Sequence, residues 1–277
     1  MSTAGCPTLA VVAIARDEIR DIGRFLANVT PIADEIVVVD DGSTDGTLEV
    51  LRAAGDKVKV VERRLEPLGG FAAQRNAGAA VATSDWLLHM DIDERIPPAL
   101  ADEIRTTLAT TTAEAFRYRR LNFFLHRPFR AGGWQRWNNV QLARRGRHRF
   151  VGTIHERVEV DGGTASIGQL AAEMWHLNDE SFVERIAKNA GYARATAEGL
   201  MADRRVRWWH LLLMPLYRAL KAWIRDGAWR HGELGVIFAV YVFSGTFNAW
   251  AVAWDTQNRI ARDAIEDSLT RGESPAR

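Results

Sequence analysis

Two short apolar runs that each end in paired acids constrain this chain more than any other feature. Residues 35–39 run into Asp40-Asp41-Gly42-Ser43, and residues 86–90 run into Asp91-Ile92-Asp93-Glu94. Both runs have the length and composition of buried strands. Strand and helix patterns alternate over the first hundred residues, with strands expected at 9–15, 35–39, 58–62 and 86–90. Helices are expected at 17–30, from Ser43 or Thr44 as cap to Leu51, at 71–82, and from Pro97-Pro98 to about 108. Such alternation gives a parallel, doubly wound sheet. Ligands of open α/β sheets bind beyond the carboxyl ends of the strands, which is where both acid pairs fall. Two carboxylates two residues apart, where the chain leaves the pleat, can both reach a hard divalent cation through oxygen. Such a cation usually works beside phosphates.

The rest of the chain is organised differently. Strands are expected at 115–124, 139–144 and 157–160, around Gly132-Gly133 and Gly162-Gly163 turns, and a helical, tryptophan-rich region begins near Phe182. In 277 residues with 47% hydrophobic and 26% charged content there is room for one large α/β domain and an appendage. A net charge of +1 gives no argument for nucleic acid as a partner. Cys6 is the only cysteine, so no intrachain disulfide forms, which fits a reducing compartment. Residues 1–7 lack a basic-then-apolar leader pattern, and the expectation is cytoplasmic synthesis and retention.

Four motifs occur in order: Ala13-Ile14-Ala15-Arg16-Asp17-Glu18, Val38-Val39-Asp40-Asp41-Gly42-Ser43-Thr44-Asp45-Gly46-Thr47, Gln74-Arg75-Asn76-Ala77-Gly78 and Asp91-Ile92-Asp93-Glu94. Together they resemble family 2 glycosyltransferases of the GT-A fold, and in particular small bacterial members that add sugars to lipopolysaccharide core or other envelope glycans. His155-Glu156 and Trp175-His176 extend the similarity into the second half. The resemblance implies an α/β fold of GT-A type, a Rossmann-like, mostly parallel sheet, here with an amphipathic and apolar helical region at the C-terminal side. It implies a catalytic domain over 1–181, divided into a nucleotide-binding half at about 8–100 and an acceptor half at about 101–181. Residues 182–277 are the helical, membrane-associating region and tail.

The implied activity is inverting, metal-dependent transfer of a sugar from a nucleotide diphosphate, UDP above others, to a saccharide or lipid-linked acceptor. By this resemblance Ala13, Arg16 and Glu18 border the base. Asp40 or Asp41 reads uracil or ribose, with Asp40 favoured, and Arg75 lies near the nucleotide. Asp93 ligates Mg²⁺ or Mn²⁺, while Asp91 ligates through water or holds the ribose. His176 is a third ligand, a diphosphate contact or a packed structural residue. Glu156 is the candidate base, with Asp161 and Asp179 as rivals and His155 to orient it or touch phosphate. A positioned base contributes about 10²–10⁴-fold. Asn76 and Gly78 read as helix-packing residues, and Glu94 as support for the site or for the following helix start.

Alternatives remain on the sequence alone. One is a non-catalytic protein that binds nucleotide sugars or envelope glycans on the same scaffold. A nucleotidyltransferase would carry a Gly-rich basic loop after the first strand, where this chain has Ala15-Arg16-Asp17-Glu18. Neither a G-x-x-x-x-G-K-[ST] loop nor a G-x-G-x-x-G after the first strand is present.

Arginines crowd residues 117–149, among them Arg117, Arg119, Arg120, Arg127, Arg130, Arg136, Arg144, Arg145, Arg147 and Arg149. They suit a solvated face or an anionic acceptor held through paired hydrogen bonds, with Phe123, Phe129, Trp134 and Trp137 placed to stack on sugars. At 205–225 a basic stripe of Arg207, Arg218, Lys221 and Arg225 opposes Trp209, Leu212, Leu213, Leu216, Leu220 and Trp223, with Pro215 expected to kink the helix. Residues 234–254 carry no formal charge. The expectation is a helical hairpin at the inner membrane, peripheral or monotopic, on the cytoplasmic side, with a single span as the alternative. Cutting away 205–277 is expected to give a more soluble protein that keeps nucleotide binding.

Overall fold

The computed structural model describes residues 6–65, 70–152, 156–178, 181–201 and 205–272. They form two compact units, one of residues 1–129 with 134–178, the other of 130–133 with 179–277.

The first unit is built on a nine-stranded sheet. Its first four strands are β1 (Leu9–Ala15), β2 (Glu35–Asp40), β3 (Val58–Glu62) and β4 (Trp86–Asp91). They are all parallel in the order β3-β2-β1-β4. β1 and β2 are buried along nearly their whole length because helices cover both faces. One face carries α1 (Ile22–Val29) and α4 (Pro98–Thr110), which close over Val11, Ala13, Ile36, Val38, Leu88 and Met90. The other carries α3 (Gly70–Val81), against Val12, Val37 and Leu87. The direction of winding reverses between β1 and β4, and the crevice at such a reversal is where this kind of sheet takes its ligand.

Beyond β4 the sheet becomes mixed. β5 (Glu94–Arg95) lies at the far edge, antiparallel to β11 (Ile167–His176), which runs parallel to β6 (Ala115–Phe124). β7 (Arg127–Phe129) folds back on β6, and β8 (Asn138–Arg144) sits antiparallel between β4 and β6. A separate ribbon pairs β9 (His148–Val151) with β10 (Arg157–Val160). The long strand β11 is not evident from the sequence, because its alternation is interrupted by small and polar residues. It places His176 beside Glu94 in register. The α/β class and the mostly parallel Rossmann-like core stand as expected.

Two local expectations are corrected. The helix expected at 17–30 begins only at Ile22. Asp17 is left-handed (φ 53°) and its carboxylate takes the amide of Thr44, so 17–21 form a loop laid over the β2 turn. Neither Ser43 nor Thr44 caps α2 (Thr47–Arg52). Asp45 accepts from the amide and hydroxyl of Thr47, while Ser43 is held by Asp40.

The second unit is helical: α5 (Phe182–Met201), α6 (Trp208–Leu220) with a π turn over Lys221–Arg225, α7 (Gly232–Asn258) and α8 (Arg262–Thr270). α6 runs on through Pro215, which lies on its buried side. Among the described residues, Ala228–Asn258 is the stretch long and apolar enough to cross a bilayer by length and composition.

Candidate active site

The Gln74-Arg75-Asn76-Ala77-Gly78 motif shows how α3 assembles the site. Successive residues of a helix point about 100° apart, so one turn can reach several strands. Gln74 is buried and exchanges hydrogen bonds with Arg63 at the end of β3, through its side chain (2.9 Å) and its carbonyl (2.5 Å). Asn76 clamps the backbone of Phe150 in β9, donating at 2.8 Å and accepting at 3.0 Å. A Cβ on Gly78 would lie 2.6 Å from Val12 and 3.0 Å from Val39, so only glycine lets the helix sit this close to the sheet. Gly78 is the packing residue expected; Asn76 instead ties β9 to the helix.

Arg75, between them, is buried. Its Nη2 donates to Asp91 at 2.7 Å and its Nε to Glu156 at 2.7 Å. A solvated arginine is thereby excluded. Burial opposes its charge, but Asp91 and Glu156 hold the guanidinium protonated more firmly than usual. Asp91 also accepts from Arg120 at 2.7 Å. Burial works against its ionisation, yet Arg75 and Arg120 keep the carboxylate below its ordinary range.

Glu94 is fully buried behind Asp91. One oxygen accepts from the Asp91 amide at 2.9 Å and the other meets Arg120 Nε at 2.5 Å. Burial, with the charge of Asp91 adding to it, overcomes Arg120 and raises this carboxyl to about 7. Glu94 therefore supports the site and does not start α4, which opens at Pro98.

His176 closes the group from β11. Its Nδ1 lies 2.8 Å from Asn122 Oδ1, so the ring donates there and turns Nε2 toward Asp93 Oδ2 at 3.2 Å. Two acceptor atoms at that distance are completed by a second ring proton or by a cation. A ligating histidine usually donates its other nitrogen to an oxygen in this way. Ligand atoms of Asp91, Asp93 and His176 all lie within 4.8 Å of one another. Arg75 and Arg120 are paired with Asp91, Glu94 and Glu156, and Asp93 lies against His176. With the Glu94 carboxyl raised to about 7, the two guanidiniums still stand against the three carboxylates of Asp91, Asp93 and Glu156, which leaves negative charge for a divalent ion. Carboxylates with one imidazole suit such an ion. Both oxygens of Asp91 are already engaged by guanidiniums, which leaves Asp93 and His176 as the more available donors.

The remaining expected residues fall at the ends of β1 and β2. Asp40 is spent on its own turn, its oxygens accepting from the amides of Gly42 (2.8 Å) and Ser43 (2.9 Å) and from the Ser43 hydroxyl (2.5 Å). Asp41 accepts from Arg16 at 3.0 Å and from the Leu65 amide at 2.6 Å. Of the pair, Asp41 is the one linked to an exposed residue, since the Arg16 side chain stands largely in solvent. Ala13 is core, on the face of β1 that packs under α1. Glu18 uses its backbone to join Thr47 and the start of α1. Arg64, which sequence reasoning passed over, lies across Gly42 and donates to the Asp41 carbonyl at 3.0 Å.

Glu156 lines a pocket of about 320 Å³ with Arg117, Gln141, Phe150, Arg157 and Val158. Its Oε2 is buried with no hydrogen-bond partner among the described residues, as is Arg75 Nη1. The rival Asp161 is exposed and paired with Arg147, away from the cluster. His155 and Asp179 lie outside the described residues.

The arginine-rich middle resolves into separate tasks. Arg120 enters the site, and Arg117 lines the Glu156 pocket. Arg144 lies over the Trp86 ring (4.6 Å) and donates to the carbonyls of Thr111 and Ala113, while Arg145 donates to Ser84. The aromatic residues expected to stack on sugars are mostly structural. Phe129 is buried against Phe124 and Trp134, and Trp137 backs Arg120, whose guanidinium carbon lies 4.0 Å from the ring centre.

Asn122 escaped sequence reasoning, and Arg120 was named only as one of the arginines of the middle region. A signal was present in β6. Tyr118, Arg120 and Asn122 alternate along it, so all three face one side. There Tyr118 donates to the His89 carbonyl, Arg120 meets Asp91 and Asn122 meets His176.

Known proteins bear the same stamp. The Glycosyl transferase family 2 profile matches residues 10–159, more than half of the chain. Lipopolysaccharide core biosynthesis glycosyltransferase LpsC of Rhizobium meliloti (strain 1021) is 26% identical over 268 residues, 95% of this chain and 97% of that protein. An uncharacterized glycosyltransferase of Rickettsia bellii (strain RML369-C) is 33% identical over 103 residues, 37% of this chain; the match spans only 33% of that protein's length. Among solved structures, S. aureus TarS 1–349 in complex with UDP-GlcNAc aligns over 97% of this chain and 93% of that one, at 15% identity and a TM-score of 0.47. With its profile match covering the strands, the acid pairs and the Arg75 helix alike, the chain belongs to glycosyl transferase family 2.

Proposed function

We propose that this glycosyltransferase moves a sugar, with inversion, from a UDP-linked donor to a glycan or lipid-linked acceptor in bacterial envelope polysaccharide or lipopolysaccharide synthesis. The observation that carries the reading is the bridge made by Arg75. One buried guanidinium joins Asp91, on the side of the candidate metal ligands, to Glu156, on the side of the basic pocket. A transferase needs a base and a diphosphate-binding cation on either side of one sugar. Similarity along almost its whole length to a lipopolysaccharide core biosynthesis glycosyltransferase of Rhizobium meliloti supports the envelope context. Inversion is taken from the family resemblance.

In this reading Asp93 and His176, with Asp91 directly or through water, hold Mg²⁺ or Mn²⁺. When bound, the cation supplies positive charge to the departing diphosphate. Arg16, Asp41 and Glu18 border the base and ribose. Glu156 Oε2 takes the proton of the acceptor hydroxyl as that oxygen bonds to the anomeric carbon and the bond from sugar to diphosphate breaks. Arg75 holds Oε1 and so fixes which oxygen is presented. Arg117 and Arg157 beside Glu156 suit an acceptor carrying phosphate or carboxylate. Residues 1–181 are the catalytic domain, and 182–277 keep it at the cytoplasmic face of the inner membrane.

The test is UDP release from UDP-glucose, UDP-galactose and UDP-N-acetylglucosamine with Mn²⁺ and envelope lipid extract. One donor is expected to turn over. Glu156→Gln should lower turnover by at least about a hundredfold while the donor still binds. Undiminished turnover in Glu156→Gln removes Glu156 as the base, and no release from any donor contradicts the UDP assignment.

A further inference from the structure

Helix α6 is packed the wrong way round for a helix of a water-soluble unit. Such a helix turns its large apolar residues inward and its charges outward. Here the fully buried residues are Pro215 in α6 and Ala222 in the following turn, with Leu211 and His210 packed beside them against Trp250 of α7. The large residues stand in solvent: Leu212 (55% exposed), Leu213, Leu216 (45%), Tyr217, Leu220 and Ile224 (65%). At 100° per residue the α6 members of this set occupy one continuous arc. Arg218 and Lys221 follow on its flank, and Arg225 is exposed in the π turn. No acidic residue occurs from 205 to 225. Trp208, Tyr217 and Trp229 are exposed at its margins, the aromatic types that settle at a lipid–water boundary.

The neighbouring helix limits how deep this surface can go. α7 is long enough to span, but α5 packs along it. Arg185 lies 5.4 Å from the Tyr241 ring centre. At Gly245, midway along α7, a Cβ would stand 2.8 Å from Asn189 Oδ1. α5 also carries Glu184, Lys188, Arg194 and Glu198. Taking α7 across a bilayer would drag that charged helix into hydrocarbon or strip it from α7, and ionised side chains at that depth are costly.

We propose that α6 and its π turn form a monotopic membrane-insertion surface for an anionic leaflet. Leu212, Leu213, Leu216, Leu220 and Ile224 lie among the upper acyl chains. Arg218, Lys221 and Arg225 lie at the phosphates, and α7 stays on the side of entry. The basic flank without a single acid, beside exposed leucines and boundary aromatics, matches the charge and layering of an anionic lipid surface. The proposal rests on the membrane-face part of the proposed function only. It is read without donor, metal or acceptor, so its failure and a failure of the transfer assay are separable.

The full chain is sedimented with vesicles of phosphatidylcholine alone and with about a third phosphatidylglycerol. Binding is expected to the anionic vesicles and to fall by roughly fivefold for each basic residue neutralised among Arg218→Gln, Lys221→Gln and Arg225→Gln. Leu213→Glu with Leu216→Glu should lower it by at least about tenfold. Leu213, Leu216, Arg218 and Arg225 are exposed and Lys221 is half-buried, so the circular dichroism and melting of the variants should match the parent. In a Cys6→Ser background, cysteines introduced as Glu233→Cys and Asn258→Cys should both react with an impermeant maleimide on vesicle-bound protein. Protection of the second alone means that α7 crosses and overturns the monotopic placement. Equal binding by the leucine variants, no binding by the parent, or a soluble dimer that those variants dissociate would each overturn the insertion surface.

Discussion

At the scale of single residues, Arg75 is the keystone, because it neutralises two carboxylates that the fold buries from opposite directions. Removing one partner of a buried ion pair leaves an uncompensated charge, at a cost of about 3–5 kcal/mol. Arg75→Met is expected to lose about that much in urea denaturation, and all UDP release. Arg75→Lys keeps the charge but offers a compact ammonium where a fork spanned two partners. It should recover most of the stability and little of the turnover; full recovery of turnover would mean that the bridge geometry does not matter. Much of this site was legible. Asp91, Asp93, Arg75, Glu156 and His176 were each named from motif and strand position. What could not be read was who pairs with whom. Glu94 was read as support for the site or for the following helix start, and its burial and its carboxyl raised to about 7 follow only from β5 lying against β11. Asp40 was favoured over Asp41 from the sequence, but the turn claims both of its oxygens.

At the scale of elements, the strands of the parallel core were readable from apolar runs, while loops that trade hydrogen bonds over long distances were not. Glu35 at the start of β2 shows why. It is a buried carboxylate in an otherwise apolar strand, and its partners arrive from elsewhere: Lys59 at 2.6 Å and the amides and hydroxyls of Thr83 and Ser84 at 2.8–3.1 Å. Burial raises its pKa, but these partners together lower it to about 2 from 4.5. The folded pKa is the depressed one, so the stabilisation is full above about pH 4.5 and disappears as pH falls toward 2. Its full size is about 3 kcal/mol. Glu35→Gln should therefore lower stability by up to about that amount at pH 7, and the gap to the parent should narrow steadily below pH 4.5. A gap that stays constant with pH would show that the carboxylate contributes packing and not charge.

At the scale of the whole molecule, the described residues form two compact units. Residues 205–277 do not stand apart from α5 within the second unit. Ala197 of α5 is buried with Trp250 and Ala253 of α7, so a cut at 205 strips α5 of its core. The hairpin of α6 and α7 was anticipated from charge-free and amphipathic stretches; which face of α6 would stay uncovered was not, because a wheel projection shows a stripe without showing its neighbour. The central claim concerns the first unit: Asp93 makes nucleotide diphosphate binding depend on a divalent cation. It is tested most directly by the melting temperature of the full chain with UDP, GDP, dTDP or CMP, with and without Mn²⁺. At a hundredfold excess over Kd, binding adds about 2.7 kcal/mol, several degrees for a chain of this size. The account predicts that UDP raises the melting temperature only with Mn²⁺, and that Asp93→Ala abolishes the rise while melting normally without ligand. A UDP-dependent rise that is the same without Mn²⁺, or that survives in Asp93→Ala, would contradict it.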